Sequence, residues 1–365
     1  MSSTDPYAPL MAHLGYPKSD RFRSLLKNLM DEEQATIVAA LPGSVEETAQ
    51  KVGKEKGEVQ ETLDKLFFDG VVIPRGDFVT RDYFKFARTM GQFHDATQAS
   101  QMRDLERDKE FYRLWHDFVV NEWYPDKARD SVAAEVPRER VVPAYNSVKD
   151  LPDLLPHENF VEMLKAQDLI AMVPCSCRFR TTAVDDHCDY TSEQGRWNCI
   201  QFNRSAEYAI KRGSGVKMSI EEALEWNEKV EEDGLIHMWY NFDILAGAPV
   251  SCQCCRDCCM NYVPMDMLNE SIGHVWAKSR FEAVVDRDKC TGCQDCVDRC
   301  QFDAIEMVRV KTATTKKGKK GKLKSIIDPE KCWGCGVCVL ACDEANAMSM
   351  KTVRPPEHIP VMPAK

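Results

Sequence analysis

The sequence predicts a multidomain α+β protein, and three observations lead to this fold class. The first hundred residues contain helical patterns followed by two strand patterns, the middle alternates strands with helices, and the last part repeats a cysteine motif. A single hydrophobic core usually stops growing near about 250 residues, well below the length of 365. We therefore expect four units, at residues 1–100, 101–156, 157–280 and 281–365.

The composition indicates a protein that works outside the membrane in a reducing compartment. Hydrophobic residues make up 44% and charged residues 29% of the chain, and no apolar run approaches the ~18 residues of a membrane span. The first twenty residues lack a charged leader followed by an apolar stretch, so we expect a cytoplasmic location. In that compartment, 17 cysteines are better candidates for metal ligands than for disulfides.

The first unit contains three predicted helices and a hairpin. "DEEQATIVAAL" has a helical pattern, Ser44 and Glu47 form a capping-box signature, and "KGEVQETLDKLFFDG" ends at Gly70. "VVIPRGDFVTRDYF" then predicts two strands that turn at Gly76 and Asp77. Three helices followed by such a hairpin resemble a winged helix-turn-helix domain.

The charge of the third helix argues against DNA as its partner. Residues 54–69 contain three lysines against five acidic residues, a net charge of −2. A recognition helix that approaches phosphates should be basic. We therefore expect this domain to contact protein, and no nucleic-acid partner.

The second unit is predicted to be a helical connector followed by a linker. Residues 104–124 place Leu105, Phe111, Tyr112, Trp115 and Phe118 near helical spacing, which predicts a buried face. The following stretch, "VPRERVVPAYNSVKDLPDLLP", is interrupted by prolines and predicts an extended linker.

The third unit is predicted to be an α/β domain with cysteines in its loops. "QDLIAMVPCSC" predicts a buried strand that ends at Cys175 and Cys177. Helices are expected at 203–212 and 219–232, the second with a capping box of Ser219 and Glu222, and "LIHMWYNF" as a further strand. Such alternation brings distant loops to one edge of a sheet.

Two cysteine runs in the fourth unit give the most specific signal. They are "CTGCQDCVDRC" at 290–300 and "CWGCGVCVLAC" at 332–342, both C-x2-C-x2-C-x3-C, and they resemble the two-cluster bacterial ferredoxin module. The resemblance implies that the fourth cysteine of each run binds the other cluster. The implied ligand sets for the two [4Fe–4S] clusters are Cys290, Cys293, Cys296 and Cys342, and Cys332, Cys335, Cys338 and Cys300. A pair of zinc sites is the alternative.

Two departures from the usual module stand out. The usual proline after the fourth cysteine is replaced by Gln301 and Asp343. A basic insert separates the runs, which predicts either docking of an acidic partner or a solvated hairpin tip. Its basic residues are Arg309, Lys311, Lys316, Lys317, Lys319, Lys320, Lys322 and Lys324.

Removing the eight ferredoxin-type ligands from the 17 cysteines leaves nine. These are Cys175, Cys177, Cys188, Cys199, Cys252, Cys254, Cys255, Cys258 and Cys259. Since a cubane uses four thiolates, nine cysteines are sufficient for two further [4Fe–4S] clusters, and a zinc scaffold is the alternative. The partition stays open, but adjacent Cys254 and Cys255 can point to different clusters, and Cys175 and Cys177 are expected to join cysteines of the 252–259 run.

Three other residues have two interpretations each. His187 and His237 are candidates for iron ligands or proton carriers, although a lone histidine is more often structural. Arg178 is expected either to hydrogen-bond sulfur or to lie on the surface. No phosphate-binding glycine motif is present, so flavin or NAD chemistry would belong to another subunit.

The cysteine pattern extends the resemblance over nearly the whole chain. Cys-x-Cys followed by Arg178, the Gly-Leu-Ile-His segment at 234–237 and "CQCCRDCC" at 252–259 resemble an uncharacterised family of anaerobe dicluster ferredoxin-domain proteins with an N-terminal winged helix. The resemblance implies iron–sulfur electron transfer. We predict a cytoplasmic protein that relays low-potential electrons to or from a partner oxidoreductase or flavoprotein subunit. The alternatives are a reductase with a catalytic middle-domain cluster and a redox-sensing winged-helix regulator.

Overall fold

The computed structural model describes residues 5–100, 103–186, 188, 197–241, 245, 249–311 and 321–360. It has mixed helix and sheet, with a small N-terminal sheet, a seven-stranded central sheet and two two-stranded C-terminal sheets. No helix among these residues is both long enough and apolar enough to cross a bilayer.

The N-terminal unit is a helical bundle that carries a small antiparallel sheet. Its strands β1, β2 and β3 have the order β1-β3-β2. Strand bounds are Gly43–Ser44, Val72–Pro74 and Tyr83–Phe86, and α1 to α6 span Ala8–His13, Asp20–Leu29, Glu32–Ala39, Val45–Val52, Lys56–Phe68 and Met90–Gln98. The predicted capping box is present, because the Ser44 hydroxyl accepts from the Glu47 amide and the Glu47 carboxylate from the Ser44 amide. The predicted hairpin is also present, with β2 paired to β3.

This hairpin packs against the middle of the same chain. The Arg204 guanidinium lies 3.4 Å from the centre of the Phe78 ring, and the Phe67 and Tyr208 rings are 5.7 Å apart. The Tyr208 hydroxyl donates to the Val72 carbonyl at 3.3 Å. The surface that would meet a partner in an isolated hairpin domain is therefore partly covered by the chain itself.

The connector is one continuous helical segment. It consists of α7 (Lys109–Phe118), a π-helical turn (Val119–Trp123) and α8 (Tyr124–Val132). The predicted apolar face is confirmed, since Phe111, Tyr112, Trp115 and Phe118 are all at most 2% exposed. This face packs into the N-terminal core.

The predicted extended linker is wrong over part of its length. Residues Glu139–Val142 form β4, which pairs with strands of the central sheet on both sides, and Tyr145–Val148 form the short helix α9. Pro137 and Pro143 lie on either side of the strand, so their missing main-chain N–H groups remove no hydrogen bond between the strands. The prolines that led to the prediction of a linker thus lie near the ends of a buried strand.

The central sheet has the order β10-β4-β8-β9-β6-β5-β7, and only the β10–β4 pair is parallel. The predicted strands before Cys175 and after Gly234 and the two predicted helices are present. Strands β5 to β10 span Ile170–Val173, Cys199–Phe202, Val216–Met218, Ile236–Tyr240, Val250–Cys254 and Trp276–Ala277. Helices α10 to α14 span Phe160–Lys165, Ser176–Ala183, Asn203–Lys211, Ile220–Glu232 and Tyr262–Met267.

The C-terminal unit repeats a strand, a cysteine loop and a short helix. Strand β11 (Phe281–Val285) pairs with β14 (Met348–Thr352), and β12 (Ile305–Val310) pairs with β13 (Lys322–Ile327). The short helices are α15 (Asp295–Asp298) and α16 (Val337–Leu340). The basic insert connects β12 to β13, and its residues 312–320, with Lys316, Lys317, Lys319 and Lys320, lie outside the described residues.

Candidate metal centres

The eight C-terminal cysteines lie in two neighbouring sets. The thiols of Cys290, Cys293 and Cys342 lie near Cys296. Burial, together with these three thiols, raises the pKa of Cys296 to about 11. Burial likewise raises the pKa of Cys335 to about 12, with Cys300 and Cys332 as neighbours. Cys338 adjoins the second set, since its pKa is raised by burial and then by Cys335, Cys332 and Cys300. Four sulfurs in each set fit one [4Fe–4S] cluster.

The two sets differ in their exposure. Cys293 of the first set is exposed to solvent. Cys332, Cys335 and Cys338 of the second set are only 7–9% exposed. The first set therefore reaches the surface at Cys293, whereas these three cysteines of the second set are buried.

Six of the nine middle-domain cysteines form a group that we call the six-thiol group. Strand pairing explains their proximity: Val173 on β5 lies opposite Cys199 on β6, and the β6–β9 register of Ile200 with Ser251 brings Cys199 beside Cys252. The six thiols form a chain in which each is hydrogen-bonded to the next: Cys177, Cys175, Cys199, Cys252, Cys254 and Cys259. The last two sulfurs are 3.4 Å apart. These side chains line a cavity of about 40 Å³, whose wall also includes Cys255, Cys258 and Arg178.

The other three middle-domain cysteines form a three-thiol group. The Cys255 and Cys258 sulfurs are 3.1 Å apart, and the Cys188 sulfur lies 4.0 Å from the first and 3.6 Å from the second. A carboxylate oxygen of Asp257 lies within 4.8 Å of all three. Cys254 and Cys255, although adjacent in sequence, therefore face different groups.

Arg178 belongs to the interior of this site. It is 1% exposed, and its Nη2 donates to the Cys255 sulfur at 3.2 Å and to the Gln253 carbonyl at 3.2 Å. The interpretation of Arg178 as a surface cation is wrong. A buried guanidinium beside thiolates offsets their negative charge.

The two histidines have different outcomes. His237 is 1% exposed and its ring is held between two partners: Nε2 lies 2.9 Å from the Glu231 carboxylate, and Nδ1 pairs with the Gln253 side-chain oxygen. Both ring nitrogens are thus engaged away from the thiols, which favours the structural interpretation. His187 lies outside the described residues.

Aromatic rings connect the six-thiol group to the second C-terminal set. The Tyr262 and Phe302 ring centres are 5.9 Å apart, and those of Phe302 and Trp333 are 5.4 Å apart and stacked. These rings share one apolar core with Cys254, Cys259 and Cys335. We call Tyr262, Phe302 and Trp333 the aromatic bridge.

Gln301, which stands where the ferredoxin module usually has proline, holds the C-terminal unit against the middle domain. Its side-chain amide donates to the Gly234 carbonyl at 2.6 Å, and its side-chain oxygen accepts from the Arg256 amide at 2.8 Å. The Tyr262 hydroxyl donates to its main-chain carbonyl at 3.1 Å. The equivalent residue of the second run, Asp343, is exposed.

The sequence analysis missed three acidic residues around the thiols. Asp257 lies between Cys255 and Cys258, a position that the C-x2-C spacing itself could have indicated. Asp95 comes from α6, accepts from the Ser176 hydroxyl at 2.6 Å and lines the six-thiol cavity. Glu139 on β4 is buried, which raises its pKa to about 7. No local signal marks Asp95 or Glu139, because only tertiary packing brings them near the cysteines.

Comparison with known proteins covers the C-terminal part. Residues 289–346 match the 4Fe–4S dicluster domain family. The "Putative electron transport protein YsaA" of Escherichia coli (strain K12) is 33% identical over 60 residues, which are 16% of this chain and 33% of that protein. The chain thus spans about a third of the length of this curated relative, and no solved structure gives a significant match. The paired cysteine sets and the family match together identify residues 289–346 as a 4Fe–4S dicluster domain.

Proposed function

We propose that this chain is a multi-cluster iron–sulfur protein of anaerobic metabolism that relays low-potential electrons between its middle domain and a partner oxidoreductase in the cytoplasm. One observation carries the proposal: the six-thiol group and the second C-terminal set share an apolar core that the aromatic bridge spans. When bound, [4Fe–4S] clusters supply one-electron chemistry at potentials that depend on burial and hydrogen bonding.

The arrangement of the thiols supports a direction for the relay. The six-thiol group is interior, the second C-terminal set lies between it and the first set, and Cys293 of the first set reaches the surface. Buried aromatic and aliphatic side chains exclude water along this path, and the interior position keeps most thiols away from oxidants. A redox partner would therefore meet the protein near Cys293.

The grouping of the thiols bears on the number of middle-domain clusters. Two middle-domain clusters, as the sequence analysis predicts, correspond to about 16 iron atoms per chain with the C-terminal pair. The six-and-three grouping supports one all-cysteine cluster in the six-thiol group, and hence about 12 iron atoms. Iron and sulfide analysis of anaerobically purified protein, with electron paramagnetic resonance of the reduced state, tests this. A content of about 8 iron atoms would contradict a middle-domain cluster.

The N-terminal unit fits a winged-helix fold that contacts protein. Its helix and strand order agrees with that fold, and lysines at and before α5 form ion pairs: Lys54 with Glu33 at 2.5 Å and with Glu58 at 2.6 Å, and Lys56 with Glu46 at 3.2 Å. Lysines that are paired with carboxylates attract DNA phosphates less strongly than unpaired lysines do. Fluorescence anisotropy of the full chain with duplex DNA at two salt concentrations is expected to detect no tight salt-dependent binding, and such binding would favour the regulator alternative.

A second candidate function is a reductase whose catalytic centre is the middle-domain cluster. A crevice of about 570 Å³ lies beside the six-thiol group and is lined by Lys127, Arg138, Glu139 and Asn261 among others. Asn261 connects the two, since its amide donates to the Cys259 sulfur at 3.4 Å and its side chain donates to Glu139 at 2.6 Å. A change in the middle-domain resonance signal on adding cyanide, a ligand for an open iron position, would favour this candidate; no change would favour pure electron transfer.

A further inference from the structure

We propose that the three-thiol group and Asp257 bind a single zinc ion rather than an iron–sulfur cluster. Cys188, Cys255, Cys258 and Asp257 supply three sulfurs and one oxygen, four ligand atoms of types that tetrahedral zinc accepts. The inference does not depend on the electron-transfer proposal, because it concerns a different metal held by different residues.

The spacing of the sulfurs distinguishes one ion from a cluster. Thiolates on one tetrahedral zinc, with bonds of about 2.3 Å, lie about 3.8 Å apart. The three observed separations are 3.1, 3.6 and 4.0 Å. In a cubane each thiolate binds a different iron atom, so the sulfurs stand farther apart than on a single ion.

The C-terminal cysteines provide an internal comparison. Within the described part of the chain, the three-thiol group with Asp257 is the one set of three or more histidine, cysteine or acidic residues whose ligand atoms all lie within 4.8 Å of one another. The eight cysteines of the 4Fe–4S dicluster domain form no such set over the same described residues. The six-thiol group forms no such set among the described residues either, although its Cys254 and Cys259 sulfurs are 3.4 Å apart. What distinguishes the three-thiol group with Asp257 is therefore that all four of its ligand atoms lie close to one another.

The local sequence and the charge balance agree with zinc. Cys255 and Cys258 form a C-x2-C pair, the short spacing that zinc sites use, and Cys188 comes from a distant segment. Three thiolates and one carboxylate around Zn²⁺ leave an excess of negative charge. Arg178, donating to the Cys255 sulfur at 3.2 Å, offsets part of that excess in the interior.

The ion would also fix the interface with the dicluster domain. Arg256 lies between two of the ligands, and its main-chain amide donates to Gln301 at 2.8 Å. Its guanidinium bonds Asp303 at 2.6 Å and Asp266 at 3.1 Å. Zinc bound to Cys255 and Cys258 would therefore fix the position of the Arg256 amide, which hydrogen-bonds the C-terminal unit through Gln301.

The first test is metal analysis and zinc X-ray absorption of the unaltered full chain, purified without oxygen from zinc-supplemented medium. We expect about one zinc per chain, with three sulfur neighbours at about 2.3 Å and one oxygen neighbour at about 2.0–2.2 Å. Absence of zinc at any iron content, or a four-sulfur shell around zinc, would overturn the assignment. Because no substitution is involved, this result does not depend on a variant that folds.

The second test separates the two thiol groups. Cys188→Ser should lose most of the zinc and keep its iron, whereas Cys199→Ser, in the six-thiol group, should lose iron and keep zinc. Asp257→Ala should release zinc to a competing chelator at a concentration at least about tenfold lower than the unaltered protein requires. Asp168→Ala removes the same charge from an exposed position of the same domain, away from the ligands and from Arg256, and should behave like the unaltered protein. Retention of zinc by Cys188→Ser would refute the proposal.

Discussion

Replacing Gln301 by alanine should loosen the contact between the dicluster domain and the middle domain. Gln301 is 8% exposed and makes two side-chain hydrogen bonds across this interface, to the Gly234 carbonyl at 2.6 Å and from the Arg256 amide at 2.8 Å. Alanine can make neither bond. The Gly234 carbonyl is buried, so the change leaves it without this partner in a place with little access to water.

The expected cost follows from the two bonds. Leaving a buried carbonyl without a hydrogen-bond partner costs about 1–3 kcal/mol of docking free energy, and losing the bond from the partly buried Arg256 amide adds about 1 kcal/mol. The docking equilibrium should then weaken by about 2–4 kcal/mol, or roughly 30- to 700-fold at about 1.4 kcal/mol per factor of ten.

Amide hydrogen exchange under anaerobic conditions measures this opening directly. Peptides that contain Gly234 and Arg256 should exchange faster in Gln301→Ala by a factor within that range, while both C-terminal clusters stay bound. Gln301→Glu keeps the acceptor for the Arg256 amide but places a carboxylate oxygen against the Gly234 carbonyl, so it should accelerate exchange at least as much as alanine does. Asp343→Ala, at the equivalent exposed position of the second run, is the matched control.

The reasoning fails if Gln301→Ala exchanges at the wild-type rate in both peptides. It also fails if Asp343→Ala accelerates exchange as much as Gln301→Ala does. Either result would mean that the two side-chain bonds do not determine how the domains dock, and that the shared apolar core alone holds them.

Three further predictions concern the relay, a buried acid and the basic insert. Phe302→Leu should slow electron transfer between the middle domain and the dicluster domain without changing iron content, as measured by rapid-mixing reduction; an unchanged rate would exclude the aromatic bridge from the path. Burial raises the pKa of Glu139 from 4.5 to about 7. Between these pH values the folded state holds the proton that the unfolded state has lost, so the free energy of unfolding should fall by about 3 kcal/mol as pH rises from 4.5 through 7. Glu139→Gln should lack this fall, because one amide oxygen can accept both bonds that Oε2 receives from Asn261 and Trp276; equal pH dependence of the two anaerobic denaturation midpoints would contradict it. Replacing Lys316, Lys317, Lys319 and Lys320 by glutamine should lower electron-transfer rates to an acidic partner, as should added salt, and unchanged rates in both tests would favour a solvated hairpin tip.

The sequence by itself determined the features that depend on local spacing. Each C-x2-C-x2-C-x3-C run fits within one loop and one short helical turn, so the dicluster domain is recognisable from the runs at 290–300 and 332–342. The capping boxes at Ser44 and Ser219 are likewise local, since the partners lie three residues apart. These elements form where the pattern predicts them.

Only the tertiary structure decided how the middle-domain thiols divide. The count of nine suggested two sets of four, but the groups contain six and three because antiparallel pairing of β5, β6 and β9 aligns Cys199 with Cys252. Pairing with the distant strands β8 and β10 likewise makes residues Glu139–Val142 of the predicted linker a strand. Register between distant strands is set by which faces are buried in the whole sheet, and no short stretch of sequence records it. The roles that we propose for Asp257 and Gln301 also depend on long-range packing, because Cys188 joins Asp257 from a distant segment and Gly234 lies far from Gln301 in the chain.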